Sequence, residues 1–266
     1  MSMDLYAQQA ILTTHALDLS RGCPGAGLGV TLREGDARTR ATPLASVTLN
    51  AQGRCAAPLL SSASARAGSY VLDFDLAAYF DAPSIFPCVR VCFRLAEPLA
   101  HYHVPLIVAP GGYSCYRGAP PSRSPRESGA WHVGDPASWP DVMQPSQGTG
   151  GGAGLSLHVI DIARGVGACG LQGTLLRDAD CSAESGFAIN AEGRTDHWLI
   201  PDGCLVATDY VLEFQVGDYY RQLGFGVGDH PFFDTVPVKL RIQDIAEHHH
   251  VVLLLSPWGY SCYRGS

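Results

Sequence analysis

The chain has 266 residues, which is enough for about two domains of ordinary size. Only 16% of the residues are charged, whereas 30 are glycine and 18 are proline, a composition typical of many short strands joined by turns. The formal net charge of −7, with no concentrated Lys/Arg segment, argues against a nucleic-acid partner. No run of about 18 apolar residues occurs, which excludes a membrane-spanning helix.

The first half of the chain contains short segments in which apolar and polar residues alternate, the pattern of half-buried strands. These predicted strands cover residues 11–18, 27–33, 45–50, 70–75, 89–95, 102–109 and 113–117. A helical turn is predicted at 76–80. The second half has counterparts, including a strand at 238–242 and a helical turn at 216–223. Seven or eight short strands in about 110 residues predict a β-sandwich.

Comparison of the chain with itself shows a duplicated domain. Residues 15–32 align without a gap with 158–175, and residues 101–118 align with 248–265. The second pair of segments ends in the same heptapeptide, GYSCYRG. Self-similarity of this kind marks a repeated structural unit, so we expect the same sandwich twice.

The predicted organisation has three parts. Copy one spans residues 5–118 and copy two spans residues 155–266. Between them, 119–154 is rich in proline, glycine and serine and is predicted to be a linker, because such a composition buries little apolar surface.

Nine cysteines are present without CxxC or zinc-finger spacing, and Met1 to Gln9 lack the features of a secretory signal. We therefore expect an intracellular protein with reduced thiols. The sequence ends in Arg-Gly-Ser, which differs from the Ser-Lys-Leu peroxisomal address.

Six of the ten histidines fall at positions repeated in both copies. They are His15 and His158, His101 and His248, and His103 and His250. Each copy also repeats a Gly-Arg pair, at Arg54 and Arg194. On a strand, residues two apart project from one face about 6.6 Å apart, so the late histidines of each copy should lie side by side.

Two functions of these histidines compete. Three histidines could bind zinc, as His248-His249-His250 suggests, but the spacing matches no standard ligand set and Tyr102 stands where copy two has His249. The other function is general acid–base catalysis, in which one neutral histidine takes a proton from water and a second delivers one. A nearby arginine lowers the pKa of a histidine and stabilises an oxyanion. We therefore predict no metal site.

The sequence resembles a known family. The segments that carry the resemblance are Thr14-His15-Ala16-Leu17-Asp18, Gly53-Arg54, His101-Tyr102-His103 and Tyr116-Arg117-Gly118, with their counterparts in copy two up to the terminal Tyr263-Arg264-Gly265-Ser266. Together they closely resemble the 5-hydroxyisourate hydrolases, the transthyretin-like enzymes of urate breakdown. The resemblance covers both copies and leaves out the linker and the first few residues.

The resemblance implies an all-β fold of two tandem transthyretin-like (prealbumin-like) β-sandwich domains. Each domain is expected to have two four-stranded sheets and one short helix. The family's reaction is hydrolysis of 5-hydroxyisourate to 2-oxo-4-hydroxy-4-carboxy-5-ureidoimidazoline, a step of purine degradation, and it uses no metal or organic cofactor. The expected location is the cytoplasm or a peroxisome-like organelle.

Carried over by position, the resemblance also implies site residues. The catalytic residues are His15, Arg54, His103, His158, Arg194, His250 and Ser266. The substrate-binding residues are Tyr116, Arg117, Gly118, Tyr263, Arg264 and Gly265, with His101 and His248 beside the site. Because the family's sites lie where four domains enclose a channel, we expect a homodimer that forms a pseudo-tetramer.

Two alternatives to a hydrolase with two working sites stay open. The chain could be a non-catalytic transthyretin-like carrier of a small ligand, although a carrier has no need of the repeated histidines and arginine. It could also pair one active with one scaffolding domain, since Ala119 follows Gly118 where copy two has Ser266.

Overall fold

A computed structural model describes residues 10–80, 84–118, 153–177, 182–225 and 231–265. Ala119, Ser266 and all but the last two residues of the predicted linker lie outside the described residues. No helix in the described ranges is long and apolar enough to cross a membrane.

Strands dominate both copies. Copy one contains β1 (Ala10–Asp18), β2 (Cys23–Pro24), β3 (Gly29–Glu34), β4 (Ala45–Thr48), β5 (Leu60–Ser61), β6 (Gly68–Asp75), α1 (Leu76–Tyr79), β7 (Cys88–Leu95), β8 (Tyr102–Ala109) and β9 (Gly112–Tyr116). Copy two contains β10 (Gly154–Asp161), β11 (Val166–Gly167), β12 (Gln172–Arg177), β13 (Ser182–Ala188), β14 (Asp209–Gln215), α2 (Val216–Gln222), β15 (Thr235–Arg241), β16 (His248–Ser256) and β17 (Gly259–Gly265). The all-β prediction is confirmed. The two-residue strands β2, β5 and β11 were not predicted, because they are too short to show a period.

Each copy is a sandwich with its own outer sheet. The outer sheets have four strands each, in the orders β4-β3-β6-β7 and β13-β12-β14-β15. The inner strands of the two copies join into one nine-stranded sheet, in the order β11-β10-β16-β17-β9-β8-β1-β2, with β5 beside β1. The two inner sheets predicted separately are thus continuous across the molecule.

The junction of the inner sheets is the antiparallel pair β9 and β17. Both strands belong to the repeated heptapeptide, and Ser114 lies opposite Ser261 at the centre of the pair. Their Oγ atoms are 2.7 Å apart. Each strand would otherwise be the unpaired edge of its own sheet, so the pairing satisfies the backbone groups of both.

Aromatic side chains fill the core beneath this junction. Tyr113 and Tyr260 meet edge to face, with ring centroids 6.2 Å apart. Phe86 packs edge to face on Tyr113, and Phe233 packs in the same way on Tyr260. Buried apolar residues of both copies form one contiguous cluster, so the copies share a hydrophobic core.

An ion pair between a half-exposed arginine and a buried carboxylate crosses between the copies. Glu213 of β14 is almost fully buried and accepts a two-pronged bond from Arg38 of copy one, from Nη2 at 2.7 Å and Nε at 3.0 Å. The counterpart of Glu213 is Asp73, which two arginines of its own copy hold, Arg33 and Arg90. In copy two the strand register places Leu176 at the position of Arg33 and Pro237 at the position of Arg90, so neither position supplies a cation. Glu213 therefore uses a cation from the other copy.

Removal of Arg38 should destabilise the fold, because Glu213 would lose its closest counter-ion. We expect Arg38→Ala to lower the free energy of unfolding by about 1–2 kcal/mol in urea denaturation, less than for a fully buried pair because water screens the half-exposed Arg38. The double variant Arg38→Ala/Glu213→Gln should regain part of the loss. Arg66→Ala is the control, since Arg66 is exposed and its guanidinium donates to the main-chain oxygens of Ala63 and Ala65. Equal losses in the single and double variants would contradict this account.

Candidate active site

The outward face of the nine-stranded sheet, on the side away from the sandwich core, carries the repeated histidines. Thr13 and His15 alternate with buried residues along β1 and share this face. Strand β8 runs parallel to β1 and places His103 directly beside Thr13. In copy two the parallel pair β10 and β16 repeats the arrangement and places His250 beside Ser156. The predicted pairing of early and late histidines therefore follows from strand register.

In copy one a continuous chain of short contacts links three histidines. His15 Nδ1 lies 2.7 Å from His103 Nε2, and the two rings stack with centroids 4.9 Å apart. His103 Nδ1 lies 2.8 Å from Thr13 Oγ1. The same hydroxyl lies 3.2 Å from His101 Nε2. The three rings are thus linked in a row, His15 to His103 directly and His103 to His101 through the Thr13 hydroxyl.

A tight turn brings Arg54 to His15. Asn50 Oδ1 accepts the N–H groups of Gln52 and Arg54, and the turn ends at Gly53 with a φ of 68°. A Cβ atom added at Gly53 would lie 2.5 Å from the main-chain oxygen of Ala16, which is too close. Only glycine therefore lets this turn approach β1. The same turn in copy two places Arg194 beside His158.

The environment of the histidines favours their neutral forms. Partial burial, and then the charge of Arg54, lower the pKa of His15 below its ordinary value of 6.5. Burial is the largest cause for His103 as well, and with His15, His101 and Arg54 nearby it lowers the pKa of His103 to about 4. Burial, Arg194 and the neighbouring histidines lower the pKa of His250 to about 4. Both late histidines are therefore neutral at pH 7.

The two sites differ in detail. In copy two, Ser156 Oγ lies 2.7 Å from His248 Nε2 and 2.8 Å from His250 Nδ1, as in copy one. The rings of His158 and His250 are farther apart, however, with centroids at 6.4 Å and an angle of 35° between planes. Trp198 packs against His248 at a centroid distance of 4.8 Å. The two copies therefore present different surroundings for the same residue set.

The segment Tyr-Arg-Gly begins at the last residue of β9 in copy one and lies within the end of β17 in copy two. Gly118 lies against the ring of His103 and Gly265 lies against that of His250, so closely that an added Cβ would be within 2.8 Å of either ring. Tyr116 and Tyr263 are each 41% exposed. Each tyrosine lies opposite a glycine of the other copy, which leaves room for it.

The two arginines of this segment have different partners. The Arg117 guanidinium stacks on the rings of Tyr102, Phe232 and Trp258, the last two from copy two. Arg264 pairs with Glu247 at 2.6 Å. The charge of Arg264 nevertheless contributes, after burial and two larger electrostatic effects, to the lowered pKa of His248. The role of both arginines in substrate binding stays a prediction.

The structure brings His15, Arg54, His101 and His103 together in copy one and their counterparts in copy two, whereas Ser266 lies outside the described residues. His249 turns to the core side, where its Nε2 lies 2.7 Å from the main-chain oxygen of Asp244. In the described ranges, no group of three or more His, Cys, Asp or Glu side chains is arranged to hold a metal ion.

Sequence reasoning missed two members of the site, Thr13 and Ser156. The signal was present, since both copies have a hydroxyl residue two positions before the early histidine, on the same strand face. It was not used because serine and threonine are common on exposed strand positions and the residue type differs between the copies.

The lowered pKa values predict acid sensitivity. The folded chain binds protons at His103 and His250 only near pH 4, whereas the unfolded chain binds them near 6.5. Stability should therefore be lost as the pH falls from about 6.5 towards about 4. We expect urea midpoints to follow this trend and to depend less on pH in His103→Gln/His250→Gln. The control His197→Gln, at an exposed position, should keep the wild-type slope; an unchanged slope in the double variant would contradict the assignment.

Comparisons with known proteins agree with the geometry. The family model described as HIUase/Transthyretin family matches residues 12–118 and 155–265. A 5-hydroxyisourate hydrolase of Deinococcus radiodurans is 42% identical over 119 residues, which are 44% of this chain and 98% of that protein. One of Mesorhizobium japonicum is 44% identical over 118 residues, 43% of this chain and 94% of that protein.

Solved structures are also similar over one copy. The 5-hydroxyisourate hydrolase of Klebsiella pneumoniae is 36% identical, with a TM-score of 0.36 over 41% of this chain and 100% of that chain. A transthyretin of Sparus aurata is 23% identical, with a TM-score of 0.38 over 41% of this chain and 97% of that chain. Because the family model accounts for both copies, the chain belongs to the HIUase/Transthyretin family.

Proposed function

We propose that the chain hydrolyses 5-hydroxyisourate to 2-oxo-4-hydroxy-4-carboxy-5-ureidoimidazoline, with one site in each copy. The observation that carries the proposal is the contact of two neutral histidines beside an arginine, His15 and His103 with Arg54. The relatives named for this reaction support the choice of substrate. Arg54 repels a proton from the pair, which keeps an imidazole free to act as a base.

The reaction divides one water molecule between two atoms of the substrate. An imidazole of the pair removes a proton as the water oxygen attacks the lactam carbonyl C6. The N1–C6 bond then breaks, the hydroxyl stays on C6 as part of a new carboxyl group, and the proton passes to N1. The Arg54 guanidinium stabilises the negative charge that develops on the carbonyl oxygen. Histidines perform both proton transfers, so the proposal needs no metal or organic cofactor.

We propose further that two chains pack through their outward faces and so enclose both sites of each chain. Exposed apolar side chains support this, because Leu17 and Leu19 lie at the end of β1 and Ile162 lies directly after β10. Tyr116 and Tyr263 add partly exposed rings on the same face. Four sandwich domains would then surround a central channel.

Hydrolysis is tested by generating 5-hydroxyisourate with urate oxidase and following the decay of its ultraviolet absorbance. We expect the wild-type chain to accelerate the decay and His15→Gln/His158→Gln to lower kcat/KM by about 100-fold or more, since general acid–base catalysis contributes at least that factor. His197→Gln should match the wild type, because the His197 side chain is exposed.

The single variants separate two active copies from one. Two equally active copies predict that His15→Gln and His158→Gln each retain about half of the activity. One active copy predicts that a single substitution removes almost all of it. No acceleration by the wild-type chain would overturn the hydrolase and favour the carrier.

The assembly is tested by sedimentation. We expect a mass of two chains for the wild type and of one chain for Leu19→Asp/Ile162→Asp, because a carboxylate in an apolar interface is costly to bury. Leu44→Asp is the control, at an exposed leucine next to the outer strand β4. A stable wild-type monomer would contradict the proposed assembly.

A further inference from the structure

We propose that Thr13 and Ser156 are positioning residues. Their hydroxyls hold the ring of His103 or His250 in one orientation and link the position of its ring hydrogen to that of the neighbouring histidine. The inference rests on the proposed function, since it assigns these hydroxyls a part in the same reaction. Neither residue needs to touch the substrate.

The contacts repeat in both copies although the residue type differs. Thr13 Oγ1 lies 2.8 Å from His103 Nδ1, and Ser156 Oγ lies 2.8 Å from His250 Nδ1. Each hydroxyl also reaches the Nε2 atom of a second histidine, His101 or His248. The feature shared by the two copies is the hydroxyl itself, which points to a hydrogen-bonding role.

The adjacent hydroxyl provides a contrast within the same strand. Thr14 turns to the core, where it donates to the main-chain oxygen of Val104 at 2.6 Å. Copy two has an apolar residue, Leu157, at this position. A hydroxyl with only a structural bond is thus replaced between the copies, whereas the hydroxyl facing the histidines is kept.

Counting hydrogens shows what the bridging hydroxyl imposes. A hydroxyl has one hydrogen, so between two histidine nitrogens it donates to at most one and accepts from at least one. When Thr13 accepts from His103 Nδ1, the Nε2 atom of that neutral ring is an acceptor for His15 Nδ1–H. When Thr13 donates to Nδ1, His103 carries its hydrogen on Nε2 and donates to His15. The hydroxyl thereby decides whether Nε2 of a neutral His15 is free to act as a base or carries the hydrogen.

The test removes the hydroxyls while keeping the side-chain volume as far as possible. We expect Thr13→Val/Ser156→Ala to lower kcat by about tenfold, as loss of a group that orients a functional histidine does, with KM within about twofold. The acid limb of the kcat–pH profile should move to lower pH, because the imidazolium loses an acceptor at Nδ1. Nitrogen-15 NMR should show changed hydrogen positions on His101 and His103.

Matched variants separate the hydroxyl from packing. The exchange Thr13→Ser/Ser156→Thr keeps both hydroxyls and should stay within about threefold of the wild type. Thr14→Val removes the structural hydroxyl, so it should lower the melting temperature and leave kcat almost unchanged. An unchanged kcat in Thr13→Val/Ser156→Ala, or an equal loss in the exchange variant, would overturn the proposal.

The NMR measurement keeps this inference separate from the proposed function. If the wild-type chain does not hydrolyse 5-hydroxyisourate, the proposed function fails, and the hydrogen positions on His103 still decide the positioning role. Identical positions in Thr13→Val and the wild type would overturn it.

Discussion

The antiparallel pairing of β9 with β17 is the interaction on which the rest of the molecule depends. It converts the two strand edges that the sandwiches would expose into the centre of one continuous sheet. It also closes the aromatic core around Tyr113 and Tyr260, and it puts both histidine sites on one face. Because both strands have the same sequence, one heptapeptide supplies both halves of the junction.

The same strands connect the junction to the sites. Along β9, Tyr113 and Cys115 are buried in the core, while Ser114 meets its counterpart on the outward face. The chain then continues into Gly118, whose N–H donates to the main-chain oxygen of His103 at 2.8 Å and whose backbone lies on the histidine ring. A change at the junction is therefore only a few residues from the segment that lies on His103 or His250.

Duplication has left the backbone symmetric and the side chains unequal. Main-chain bonds cross the junction in equivalent pairs, from Arg117 N to Trp258 O and from Arg264 N to Gly111 O. The Arg117 guanidinium nevertheless stacks on aromatic rings, whereas that of Arg264 pairs with a carboxylate. In these contacts and in the pair Arg38–Glu213, arginines of copy one use partners that belong to copy two. The two copies are therefore complementary to each other.

The sequence by itself determined the duplication, most of the strands and the residue types of the sites, because these are local patterns: a period of two and a repeated set of histidine, arginine and glycine. Tertiary structure decided which of them meet. The contact of His15 with His103 joins residues 88 positions apart, and the contact of Ser114 with Ser261 joins residues 147 apart. The bridging role of Thr13 and the turning away of Arg117 also depend on strand register and side-chain direction. The register between paired strands is set by the packing of the whole sheet, so the sequence of one strand does not indicate which residues of its partner lie opposite.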